Sequence, residues 1–124
     1  MEKIGMEEIE TITAPGGMFA VRVEAWEARN TQWVYVPTLL DVHTQAVIFT
    51  FADPRWSMDR VTWHGDAVAH FVLRKFPGDH RPAALELVVD CARRTAVVGA
   101  GTACTLAEIE QALEAAFEKK PSRP

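Results

Sequence analysis

The side chains here whose types could support chemistry are histidines and carboxylates, and three groups stand out, beside a looser set of Asp41, His43, His64, Asp66, Arg93 and Arg94 that reads as ordinary solvated turns. His64 and His70 stand six residues apart around a turn. Asp53, Arg55 and Trp56 occupy one short polar segment, and Asp79, His80 and Arg81 occupy a second, with Pro54, Pro77 and Pro82 stiffening both. A histidine beside a carboxylate is a common acid–base pairing, so His80 with Asp79 and Asp53 is the set a small hydrolase would use. It lacks an accompanying Ser or Cys nucleophile with a glycine-built oxyanion hole. Cys91 reads as a small core hydrophobe and Cys104 as a residue ahead of a helix cap, both free thiols. No phosphate loop, nucleophile elbow, metal-ligand cluster or basic tract is present. The sequence assigns no catalytic residue, no metal ligands and no cofactor.

The element that must position the histidines spans residues 58–75 (MDRVTWHGDAVAHFVLRK). Two apolar, β-branched runs flank Gly65-Asp66, a two-residue turn signal. With those two residues closing the hairpin, His64 opposes Ala67, Trp63 opposes Val68 and Val61 opposes His70. Val61, Trp63, Val68, His70 and Val72 then share one face, and Arg60, Thr62, His64, Ala69, Phe71 and Leu73 the other. This register predicts that the two histidines point to opposite faces and share no metal, because a zinc site needs three or four convergent ligands.

A second hairpin is expected around Arg29-Asn30, joining strands over 18–28 and 32–40, with Pro37 marking a ladder interruption or an edge. That turn sets Trp26 opposite Trp33 and Glu24 opposite Tyr35. One face becomes aliphatic, with Val23, Ala25, Val34 and Val36. The other carries Trp26, Trp33 and Tyr35 with Arg22 and Glu24, and is either packed under the C-terminal helix or open as a binding patch. Short strands are read at 10–14, 46–51, 84–91 and 95–98. Thr105 and Glu108 form a capping box, and Leu106, Ile109, Leu113 and Phe117 make the apolar stripe of a helix over 106–118, ended by Pro121.

These elements predict one α+β domain over 1–124, with 1–8 and 119–124 loose. It is an antiparallel meander sheet of six to eight strands with one C-terminal amphipathic helix packed on it. Neighbours in sequence should be neighbours in space. The loops at 29–30, 52–57 and 76–82 then gather at one end of the sheet. Those at 15–17, 41–44, 65–66 and 92–94 gather at the other.

Composition is ordinary for a globular chain: 124 residues, 48% hydrophobic and 24% charged. A formal net charge of −4 argues against nucleic acid or an anionic membrane as main partner. The acidic start and the absence of a long apolar run lead to the expectation of a cytoplasmic protein. A meander with one helix is a shape shared by immunity-type inhibitors, calycin-like carriers and accessory subunits. The leading expectation is a non-catalytic protein-binding module, such as an inhibitor or immunity-type protein that neutralises a basic enzyme or toxin. Its partner-binding residues would be Arg55, Trp56, Asp79, His80, Arg81, Trp26, Trp33 and Tyr35, with Trp56 either an exposed anchor or a plug over the core. The alternatives are a small-molecule binder with an apolar pocket between sheet and helix, with His70 as its polar handle, and a hydrolase using His80 and Asp79.

Overall fold

The computed structural model describes residues 7–29 and 32–117. The expected looseness of 1–6 and 119–124, the Asn30 side of the first turn and the end of the helix beyond Phe117 lie outside these residues. Glu7 and Glu8, expected to be loose, belong to the first strand.

Among the described residues nine strands form: β1 (Glu7–Thr13), β2 (Phe19–Arg29), β3 (Gln32–Asp41), β4 (Val47–Thr50), β5 (Trp56–His64), β6 (Val68–Lys75), β7 (Leu85–Asp90), β8 (Thr95–Val98) and β9 (Thr102–Thr105). They build two sheets rather than the single sheet of six to eight strands expected. One runs β1-β2-β3-β4, the other β5-β6-β7-β8-β9, and every pairing is antiparallel. The meander rule holds within each sheet and breaks between β4 and β5, where residues 51–55 carry the chain from one sheet to the other. The additional strand, β9, arises because Gly99 and Gly101 adopt positive φ (62° and 137°) and turn the chain straight back onto β8.

Inward-facing residues of both sheets, including Val21, Val23, Leu39, Phe71, Leu73, Leu87 and Val89, make one core. It is closed by a 3₁₀ turn (Leu106–Glu108) and helix α1 (Ile109–Ala116), whose Ile109 and Leu113 are fully buried. The capping box forms as expected, with the Thr105 N–H donating to Glu108 Oε1 at 2.9 Å. That hydrogen bond holds the Glu108 carboxyl below its ordinary value. Among the described residues no helix is long and apolar enough to cross a membrane.

Both hairpin registers differ from expectation by one residue. The β5–β6 loop has three residues, 65–67, so His64 pairs with Val68, Thr62 with His70 and Trp63 with Ala69. Gly65 takes a positive φ of 72°, and the Ala67 carbonyl is held by the Cys91 N–H at 2.7 Å. Arg60, Thr62 and His64 therefore lie with Val68, His70 and Val72 on the outer face, while Val61 and Trp63 join Ala69, Phe71 and Leu73 inside. A bulge at Asp59 restores the parity that keeps Trp56 and Met58 inside as well. In the β2–β3 hairpin Trp26 pairs with Val34 and Ala25 with Tyr35. Cross-strand partners share a face, so Trp26 does not join Trp33 and Tyr35, and Val34 and Val36 do not join Val23 and Ala25.

Candidate functional site

Two surface concavities have volumes of about 310 Å3 each, and one of them lies where β3 meets β5. β4 pairs with residues 38–40 of β3, so residues 32–37 have, among the described residues, a sheet partner on one side only. On the other side the Tyr35 N–H donates to Ser57 Oγ of β5 at 3.0 Å. N–H and C=O groups point to alternate edges along a strand, so Trp33 and Pro37 address that same open edge. Pro37 has no N–H to offer there, which fits it to an edge. The two sheet margins thus approach without pairing fully, and the gap is a groove.

Trp33 and Tyr35 form one wall, 44% and 39% exposed. Ser57 and Asp59 of β5, Arg74 of β6 and Phe76 form the other. Arg74 Nε donates to Asp59 Oδ2 at 2.7 Å, which fixes a paired charge on the rim and raises the Arg74 pKa. The Arg29 guanidinium lies 5.7 Å from the centre of the Phe76 ring. The Phe76 N–H donates to the Arg55 carbonyl at 2.8 Å, so loops 52–55 and 76–82 are neighbours at this end.

A column of stacked rings supports that end from below. Phe51 stacks on Trp56 at 5.4 Å between centroids, Trp56 on Phe117 at 5.6 Å, and Phe117 on His80 at 4.4 Å. Trp56 has no exposed surface, and among the described residues its indole N–H has no hydrogen-bond partner. It is a plug over the core and not the exposed anchor of a partner surface. The reason is parity again, because position 56 falls on the inward side of β5. Lys75, the inward neighbour of Trp56 across the ladder, is buried with its Nζ 5.5 Å from the ring centre. Its charge is met by Asp53 at 3.3 Å and by Glu114 of α1. Arg55 and Lys75 together hold the Asp53 carboxyl well below the usual carboxylate range, the Arg55 hydrogen bond contributing most. Glu110 accepts the N–H groups of Ala52 and Asp53, each at 2.9 Å. Glu110 therefore pins the crossover to the helix directly, and Glu114, one turn on, does so through Lys75 and its pair with Asp53.

Comparison with protein-family models, with curated proteins and with solved structures finds no match. The site is read from its own geometry.

Of the eight residues expected to contact a partner, Trp33 and Tyr35 line the groove. Arg55 is exposed beside it and bonded to Asp53. Asp79, His80 and Arg81 continue the loop that begins with the groove residues Phe76–Gly78. Trp26 lies on the other face of its sheet, where its Nε1 donates to the Pro54 carbonyl at 2.9 Å. His80 Nδ1 stands 3.6 Å from Asp79 Oδ1, beyond a good hydrogen bond, with its ring flat on Phe117. The space beside Pro37, Phe49, Phe51 and Phe71, between the sheets, is too small for a water molecule. His70 is on the outer face, so it is not a handle within such a space.

Ser57, Asp59 and Arg74 were not anticipated as groove residues, nor Lys75, Glu110 and Glu114 as its support. Lys75 had a signal: it continues the inward series Ala69, Phe71, Leu73. The pairing of Glu110 with Glu114 at helical i,i+4 spacing was a second.

Proposed function

We propose that the protein is a non-catalytic recognition module that binds another protein through the groove between β3 and β5. The observation that carries this reading is the exposure of Trp33 and Tyr35 side by side on one wall of a cleft of about 310 Å3. Exposed Trp and Tyr next to an arginine is the composition that dominates interface anchors, and clustered exposed aromatics are uncommon on surfaces that bind nothing. Hydrogen bonds hold the two walls beforehand: the Tyr35 N–H ties one to Ser57 of the other, where Arg74 is tied to Asp59. Little ordering entropy is then lost on binding. The net charge of −4 supports a basic partner, an enzyme or toxin for example, by speeding encounter.

The test is capture from native lysate on the immobilised protein, followed by measured affinity for the captured protein. The Trp33→Ala, Tyr35→Ala double variant should keep its melting temperature within a few degrees and bind the partner more than tenfold more weakly, a loss of about 1.4 kcal/mol or more. Equal affinity in the double variant moves the contact surface away from the groove.

A further inference from the structure

On the outer face of the second sheet, away from the groove, His64 Nε2 and His70 Nδ1 face each other at 3.2 Å. We propose that this pair chelates a divalent transition-metal ion, Cu2+ most tightly and Zn2+ more weakly, with Glu86 as the positioning residue.

Three features favour a chelate. First, the separation suits one ion: two nitrogens 3.2 Å apart can each reach a metal at about 2.1 Å, with an angle of about 100° at the ion. Second, the tautomer is set. Glu86 Oε1 lies 2.8 Å from His70 Nε2. A carboxylate accepts, so the proton sits on Nε2 and the Nδ1 lone pair is left facing His64. A carboxylate on the far nitrogen is the usual support of a metal-bound imidazole. Third, there is room. Arg60, Thr62, His64, His70, Val72 and Glu86 line a surface hollow of about 100 Å3, enough for an ion with its remaining water ligands.

Without metal, His64 Nε2–H donates to His70 Nδ1. On binding, neutral His64 shifts its proton to Nδ1 and presents the Nε2 lone pair, with no net proton change. A histidine that is charged beforehand releases one proton. The charges facing the ion are Arg60, which opposes it, and Glu86, which offsets Arg60. Among the described residues no three His, Cys, Asp or Glu side chains converge. The protein therefore supplies two ligands and leaves the other positions to solvent, which makes the ion exchangeable. Imidazole pairs of this kind follow the ordinary order of divalent affinities, with Cu2+ above Ni2+ and Zn2+.

The experiment is calorimetric titration of the full chain with Cu2+ and, separately, Zn2+, with low-temperature EPR of the Cu2+ complex. Wild type should bind one Cu2+ with two imidazole nitrogens in its spectrum. His64→Ala and His70→Ala should each weaken it at least tenfold and lose one nitrogen, with the apo melting temperature of His64→Ala unchanged because His64 is exposed. Glu86→Gln should weaken it by about tenfold and keep both nitrogens. No Cu2+ binding by wild type at millimolar protein would leave a hydrogen-bonded imidazole pair only and overturn the proposal. So would binding that survives either histidine substitution. Undiminished binding in Glu86→Gln would overturn the role given to Glu86.

Discussion

Trp56 shows how much a single side chain can organise when its position along the strand turns it inward. It stacks on Phe51 and on Phe117, and the Lys75 ammonium lies over its ring. Removing it would empty a fully buried ring volume and leave Lys75 beside a void. Trp56→Ala should cost about 3–5 kcal/mol, the range for large aromatic truncations in cores. Trp56→Phe should cost less, because the lost indole N–H has no partner to leave behind. Urea unfolding measures both. A loss below about 1 kcal/mol for the alanine variant would mean that the ring is not part of the core. The same side chain illustrates what a residue-level reading misses: tryptophan in a Pro-Arg-Trp-Ser segment suits an exposed loop anchor and the first inward residue of a strand equally well.

At the scale of elements, the helix was legible and the hairpin registers were not. A stripe of Ile109, Leu113 and Phe117 repeats over two turns, so one odd residue does not erase it. The Thr105–Glu108 cap is likewise local. Strand existence is also legible from alternation, but register depends on counts of one. A third residue in the β5–β6 loop and bulges near Ala28 and Asp59 each reverse the sense of inside and outside. The clamp between α1 and the crossover loop was legible only in part. Its consequence is a pH dependence. Asp53 is held below its ordinary value by Arg55 and Lys75, so its folded state binds its proton more weakly than the unfolded chain does. That stability is fully present above about pH 4, the unfolded carboxyl range, and is lost as pH falls below it. Asp53→Asn should lower stability at neutral pH by about 1–3 kcal/mol. Its deficit against wild type should narrow as pH is lowered from about 5 to about 2. A deficit that stays constant over that range would show that Asp53 is not stabilised as an anion.

The whole molecule is two sheets sharing one core, a division invisible in the sequence because nothing between Thr50 and Trp56 announces a change of sheet. The sheets are joined from below by α1 and at the far end by Trp63 Nε1 donating to the Ile12 carbonyl at 3.2 Å. Cys91 reports on that union. It is fully buried, and burial foremost pushes its thiol up to about 11, so its reaction requires the core to open. Cys104 is only partly buried, on the edge strand β9. In native protein near pH 8, a disulfide-exchange reagent should label Cys104 first and Cys91 at the rate of global unfolding. Equal, rapid labelling of both would mean that the second sheet opens independently of the first.

The three-residue loop at 65–67 also constrains descent. Loss or gain of one residue there would exchange the two sides of β5 against β6, bringing Arg60, Thr62 and His64 inward and turning Val61 and Trp63 out. A change of two residues preserves the sides. Apart from Gly65, whose positive φ favours glycine, the tip of this turn tolerates substitution, but its length can drift only in even steps, and each odd step demands a compensating bulge elsewhere in the strand.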